Sequence, residues 1–346
     1  MVPYNCIYFF HSWNNKFKFT GNGSSKSVNN KGKIIVGSGG SAALLGGRIS
    51  NSGTVSAKLG KIALGAGEKV TLDFVGDGLM SVTVPSNKLS VIRDINGKTL
   101  KSIISNTGKL EANGGIIKLS AATAKYLSRA SVNIGSSGMI VARSVNEKSG
   151  KVVIGSPIED NIKIAGKIDV SGHKSHSPSG TVIVRGRSVS HSGKIFAKGR
   201  SGGKVNIISK DSIKLNGSVL AQGNIDKGGL VIFMSEKSIS STPKVVVDVS
   251  APNKAGEIRS LAKTSNTSSG LFKANSSAGK GGKIDFTGNS VQISKSEISA
   301  TGNKMGGKVR IGGEYLGGKK LTNTDNKNKQ GFVTRFGDQP QLNNAK

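Results

Sequence analysis

The sequence predicts an all-β solenoid, a parallel β-helix with three short strands per coil. Two observations predict it. The first is a rhythm of apolar pairs separated by one residue, clearest between Gly193 and Gly223: Ile195/Ala197, Val205/Ile207, Ile213/Leu215 and Val219/Ala221. Side chains alternate across a strand, so each pair marks a brief element with one apolar and one polar face. Gly, Ser, Asn and Lys residues between the pairs turn the chain. The second observation is recurrence. A glycine preceded by Gly, Ser or Ala stands before the first strand of each unit at Gly115, Gly150, Gly180, Gly203, Gly229, Gly256, Gly282 and Gly307, the last five intervals being 23, 26, 27, 26 and 25 residues.

Three strands and three turns in ~25 residues make one coil of a solenoid, stacked strand on parallel strand. At ~4.8 Å per coil, about nine coils form a rod roughly 45 Å long. Composition agrees. Apolar residues are only 35% and aromatics 5% of the chain, which suits a narrow core of Val, Ile, Leu and Ala. Regular alternation excludes a disordered chain of similar polarity, and 49 glycines without a three-residue period exclude collagen. A propeller needs aromatic signatures that a single Trp cannot supply. One cysteine, Cys6, excludes an internal disulfide framework. No stretch approaches the ~20 apolar residues of a membrane-spanning helix.

Taken in order, residues 1–16 read as an unrelated or unstructured leader, without the basic start and small-residue cleavage site of a signal peptide. The β-pattern begins at Phe17 and continues through Ile49, Val55/Ala57 and Ile62/Leu64. Two longer alternating runs follow, Val70/Leu72/Phe74 and Met80/Val82/Val84, joined by Gly76-Asp77-Gly78 and closed by Pro85. They predict a β-hairpin near 70–84 lying outside the solenoid. Residues 17–101 form one region and residues 102–320 the repeats. First strands are expected at Ile117/Leu119, Val152/Ile154, Val182/Val184, Val205/Ile207, Val231/Phe233, Ile258/Ser260, Ile284/Phe286 and Val309/Ile311. Second strands include Val132/Ile134, Ile162/Ile164, Ile213/Leu215 and Val291/Ile293. Third strands include Leu110/Ala112, Ile140/Ala142, Ile168/Val170, Ile195/Ala197, Val219/Ala221, Val247/Val249 and Ile298/Ala300. Residues 321–346 are polar, lack the pairs and read as a loose tail. The first coil is expected to expose Ile34 and Val36.

Residues Gly46–Pro85 also carry a resemblance. The run G-G-R-I-S-N-S-G-T-V-S-A, followed by G-K-I-A-L-G-A-G-E-K-V-T-L-D-F-V-G-D-G-L-M-S-V-T-V, resembles the haemagglutination-activity domain of filamentous-haemagglutinin-like exoproteins. These are the large adhesins and cytolysins of two-partner secretion in Gram-negative bacteria. F-K-F-T-G-N-G-S-S-K-S-V-N-N-K-G-K-I upstream is similar to the same domain, and G-G-K-V-R-I-G-G-E-Y-L-G-G at Gly306–Gly318 to the β-helix that follows it. The resemblance implies a right-handed parallel β-helix and export through an outer-membrane β-barrel transporter. It also implies a secreted or cell-surface location and a role in adhesion, which a cationic surface would direct to glycans or other anionic surfaces. Residues 17–101 would then be the second half of the secretion domain. No Asn-Pro pair of the family's Asn-Pro-Asn-Gly type occurs in the chain. The expectation is therefore an N-terminally truncated fragment, with an unexported remnant of such a gene as the alternative.

A polysaccharide-degrading β-helix would need two carboxyls about 5–10 Å apart. Asp160, Asp169, Asp211, Asp226, Asp248 and Asp285 form no D-D or D-x-D pair, and the register places Asn206, Ile232 and Arg310 beside Asp285. An enzyme is not expected. Of the histidines, His173 and His176 share a Gly/Ser/Pro loop without a third ligand. His191 stands in the register of Leu215 and Ile293, which places it inward or at a coil corner, and it reads as a core histidine with a backbone partner. No metal or cofactor is expected. The net charge of +31 implies polyanionic partners. Arg143, Arg185, Arg187, Lys194, Lys198 and Arg200 are the candidate anion or glycan contacts, placed at coil edges where they could form a vertical stripe. Specific nucleic-acid binding is not expected, because no aromatics are interleaved with the bases.

Overall fold

The computed structural model describes residues 9–13, 16–20, 27–67, 69–73, 79–83, 102–121, 130–155, 161–173 and 176–312. Cys6, the turn at 76–78 and the tail from Leu321 lie outside the described residues. Among those described, all regular structure is β.

Three parallel stacks of strands run along one axis. The first stack aligns Ala42, Ile62, Ile117, Val152, Val182, Val205, Val231, Ile258, Ile284 and Val309 in register. The third aligns Ile34, Val55, Leu110, Ile140, Ile168, Ile195, Val219, Val247, Phe272 and Ile298. The second holds Ile49, Ile104, Val132, Ile162, Val189 and Ile213. The parallel β-helix read from the sequence is the observed fold. Apolar members of the three stacks meet inside as one continuous core, fully buried along its middle and partly exposed at Ile34, Ile298 and Val309 in the end coils. Each such Val, Ile or Leu contributes roughly 1.5–3 kcal/mol of burial.

Several coils omit one of the three turns. Thr181–His191 and Lys204–Leu215 serve as first and second strand together, and Ser265–Lys273 and Ser290–Ser299 as second and third. The bend within Ser265–Lys273 sits at Gly270, whose φ of 111° falls in a region open to glycine.

The expected hairpin is present outside the solenoid. Lys69–Asp73 pairs antiparallel with Leu79–Thr83, Val70 facing Val82 and Leu72 facing Met80. The sheet has two further strands, Lys16–Thr20 on Lys69–Asp73 and Phe9–Trp13 on its other edge. The segment set apart as a leader thus supplies a strand at Phe9–Trp13. Val70 and Leu72, with Phe17 and Phe19, pack on Leu45 and Ala63. Ala63 alternates with Ile62 and Leu64, so it faces outward from the solenoid. It is buried because this sheet covers it.

Two polar devices interrupt the apolar interior. Asn30, Asn51 and Asn106 stack in successive coils, Asn30 Nδ2 donating to Asn51 Oδ1 at 2.8 Å and Asn51 Nδ2 to Asn106 Oδ1 at 2.7 Å. Asn106 Nδ2 ends the ladder on the Gly108 carbonyl at 3.1 Å. Further on, Ser260, Asn266 and Ser268 occupy core positions of one coil. Asn266 Oδ1 accepts from both serine hydroxyls, while its Nδ2 donates to the Ser260 and Thr287 carbonyls. Ser260 stands between Phe233 and Phe286 in the first stack, and the room it leaves is filled from the third stack by Phe272. That ring meets Phe286 edge-on at 4.9 Å between centroids. Phe272 takes a place that the repeat fills with Val247 and Ile298, keeping coil volume nearly constant.

At the first coil, Ile34 and Val36 are half-buried against the core. Ile35, which faces outward between them, is 75% exposed.

Candidate functional site

The charged surface combines ion pairs between coils with rows of lysines. Arg143 holds Asp169 of the next coil through Nε at 3.1 Å and Nη2 at 2.8 Å. Arg187 holds Asp211 at 2.6 Å, with Lys237 on its other oxygen at 2.8 Å. Arg200 holds Asp226 at 2.8 Å. Burial works to raise the Asp169 pKa, but hydrogen bonds from Arg143 and Ser171 outweigh it and hold the carboxyl below its usual 3.8. The hydrogen bond of Arg187, followed by that of Lys237, does the same for Asp211.

The six bases singled out from the sequence fall at different places around the coil. Arg143, Lys194 and Lys198 lie on or just after the third strands. Lys194 stacks on Lys167, and Lys167 and Lys198 stand over the Phe196 ring at 4.9 and 5.9 Å. Arg185 and Arg187 sit where the first strand bends into the second, Arg185 in register with Ile208. Arg200 lies in the loop from third to first strand, its amide donating to Ser177 O at 3.0 Å.

Those loops from third to first strand build a groove. Gly202 N donates to Lys227 O at 2.8 Å, Gly228 N to Lys254 O at 2.9 Å, Ala255 N to Lys280 O at 3.0 Å and Gly281 N to Met305 O at 2.9 Å. Lys227, Lys254, Lys280 and Met305 therefore form a row one coil apart. A second row starts the first strands: Lys204, Leu230, Glu257, Lys283 and Lys308. Between the rows the backbones pack so closely that side chains have no room. A Cβ on Gly228 would stand 1.8 Å from Val249 O, and one on Gly281 2.5 Å from Ala300 O. The result is a glycine-floored groove of about 450 Å³ with six lysines and one glutamate on its walls.

Glu257 in the groove wall and the buried Asp285 both bind Lys283 Nζ, at 3.6 and 2.9 Å, so two carboxyls come within about 6.5 Å of each other, a pair the sequence register did not indicate, and bases hold both. Asp285 is buried beneath Lys283 and Arg310, with Arg259 preceding it in register, and its neighbours in the column are bases rather than carboxylates. Glu257 in the groove is held by Arg259 and Lys283. Among the described residues no three His, Cys, Asp or Glu side chains gather as a metal-ligand set. His191 is fully buried between Ile164 and Leu215. Its Nε2 lies 3.3 Å from the Ser218 carbonyl, to which the neutral ring donates, and Nδ1 has no hydrogen-bond partner. Burial lowers its pKa to about 4 despite the carbonyls of Ser218 and Ile164.

The sequence reading singled out Arg143 and its companions and passed over the lysine row. The signal was present: Lys227, Lys254 and Lys280 each directly precede a Gly-Gly or Ala-Gly pair in three consecutive coils. It was hidden because the glycines were read only as the start of the next strand.

No protein-family model matches the chain, and no curated protein matches it. Among solved structures, the secretion domain of HMW1 from Haemophilus influenzae is similar at 20% identity and a TM-score of 0.49, over 84% of this chain and 69% of that one. No helix among the described residues is long and apolar enough to cross a membrane.

Proposed function

We propose that the chain is part of an adhesin-like exoprotein of two-partner secretion, whose cationic β-helix binds anionic glycans on cell surfaces. One observation carries the reading: six acids of the described coils are tied to bases, while lysines outnumber the acids and face outward. Glu111, Asp169, Asp211, Asp226, Glu257 and Asp285 each hold at least one Lys or Arg. Carboxylates occupied in this way fix neighbouring coils together and are poorly placed to act as acid and base. What remains available to a partner is positive charge on a rigid rod, which attracts anionic surfaces from a distance and fixes their orientation.

Export belongs to the same reading. It rests on the resemblance of Gly46–Pro85 and names an outer-membrane β-barrel transporter as partner, with a secreted or surface destination. Arg143, Lys194, Lys198 and Arg200 are proposed contacts on the side of the rod that also carries the groove, with Arg185 and Arg187 at the bend between first and second strands.

The test is binding of the purified chain to epithelial cells at physiological salt, before and after enzymatic removal of acidic surface glycans. Binding should fall several-fold after removal. Undiminished binding would refute glycan recognition.

A further inference from the structure

The row Lys227, Lys254 and Lys280 carries like charge through three successive coils. Elsewhere acids intervene: Arg259, Asp285 and Arg310 alternate, Arg143, Arg187 and Arg200 each meet an aspartate, and in the like pairs Lys167/Lys194 and Lys283/Lys308 one member is held by an acid. In this row three ammonium groups follow one another with no acid between them. Among the described residues none of the three enters an ion pair, and all three are exposed. Like charges directly opposite on neighbouring strands destabilise a sheet, so the row opposes folding and would be relieved by an anion laid along it. Opposite it, Lys204, Lys283 and Lys308 face the same groove.

We propose that this groove seats one extended strand of an acidic polysaccharide carrying one carboxylate per sugar unit, aligned with the solenoid axis. The proposal rests on the glycan-binding reading and specifies its site and ligand class. The floor is bare backbone, because a Cβ at Gly228, Gly256 or Gly281 would collide with backbone atoms at 1.8–2.5 Å. A flat chain can therefore lie close to the peptide groups while Lys227, Lys254 and Lys280 reach over it from one wall and Lys204, Lys283 and Lys308 from the other, where Leu230 and Glu257 interrupt the series. The rows advance ~4.8 Å per coil, a step comparable to one sugar of an extended chain. Each coil then meets one carboxylate. Nucleic acid fits less well. Its charges follow at about 3.4 Å per strand in a duplex, and a single strand wants aromatic platforms for its bases, whereas no aromatic residue lines the groove. Neutral sugars would leave the lysines unanswered.

The experiment uses the full chain, with polygalacturonate, single-stranded DNA and dextran as probes, titrated at physiological salt. The variant K227E/K254E/K280E reverses the row. K163E/K214E/K244E makes the same change of net charge at exposed lysines elsewhere. Unchanged circular dichroism and thermal unfolding establish that each variant folds. We expect polygalacturonate binding at least about tenfold weaker in the row variant and within about twofold of wild type in the other, with no dextran binding. Equal losses in both variants would reduce the site to net charge and overturn the proposal. Tighter binding of DNA than of polygalacturonate, lost in the row variant, would overturn it in favour of nucleic acid. Polygalacturonate binding that survives the row variant but fails after charge reversal at Lys194 and Lys198 would sink the groove and keep the glycan reading. Absence of binding to polygalacturonate, and of any acidic-glycan dependence on cells, would remove both.

Discussion

His191 makes the stability of the solenoid depend on pH in a way that can be computed from its site. The ring is fully buried, and its pKa is lowered from 6.5 to about 4. An unfolded chain accepts a proton at His191 near pH 6.5, while the folded chain refuses it until about pH 4. Stability contributed by the neutral ring is therefore complete above pH 6.5, is lost as pH falls through that window, and changes no further below it. The gap of about 2.5 pKa units corresponds to about 3 kcal/mol, of which about 2.5 kcal/mol is already lost at pH 4.5. Leucine is the informative replacement, because Leu215 fills the same position one coil on. His191→Leu forfeits the bond to the Ser218 carbonyl, about 1 kcal/mol, and gains apolar contact, so the two proteins should unfold at similar urea concentrations at pH 7. At pH 4.5 the variant should be more stable than wild type by about 1.5–2.5 kcal/mol. The lowered carboxyl pKa values of Asp169 and Asp211 matter only below the usual carboxylate range and leave this window clear. Urea unfolding at pH 7, 6, 5 and 4.5 decides the matter. Equal losses in the two proteins between pH 7 and 4.5 would refute the assignment of the slope to His191.

Four further substitutions probe the packing. Phe272→Ala empties the space opposite Ser260 and removes the edge contact to Phe286, and should cost about 3–5 kcal/mol in urea unfolding. Asn51→Leu cuts the ladder in its middle, leaving Asn106 Oδ1 without its donor and Asn30 Nδ2 with only the long contact to Thr54 O. The expected loss is about 2–4 kcal/mol by the same measurement, and faster amide exchange should centre on residues 49–54 and 104–109. Gly228→Ala places a methyl group 1.8 Å from Val249 O and should lower stability by at least about 2 kcal/mol. Around Gly306 a methyl group would meet no described atom within 4 Å, so Gly306→Ala should stay within about 0.5 kcal/mol of wild type.

Much of this architecture was legible because strand periodicity is local. Two-residue alternation at Val205/Ile207 or Ile195/Ala197 states which side faces inward without reference to any other part of the chain. Equal spacing of the coils then fixes which residues stack. The aligned first and third strands follow from that arithmetic, as does the inward place of His191. The hairpin near 70–84 was legible for the same reason, since its turn and its two alternating runs are adjacent in sequence.

Other features required partners that sequence distance conceals. Asn51 meets Asn106 across 55 residues because residues 69–73 and 79–83 leave the solenoid to form the outer sheet between them. Phe272 belongs to the core only because Ser260 left room for it. Arg143, Arg187 and Arg200 looked like free cations until Asp169, Asp211 and Asp226 were brought beside them, each about one coil away. The lysine row is the converse case, a set of residues about 26 apart that becomes a continuous wall once the coils stack. By itself, then, the sequence determined the repeat, its inward faces and its excess of positive charge, because each is a property of neighbouring residues or of their sum. Only the tertiary structure decided which charges are neutralised and which are left facing a groove, because pairing depends on distances between coils that no single coil contains.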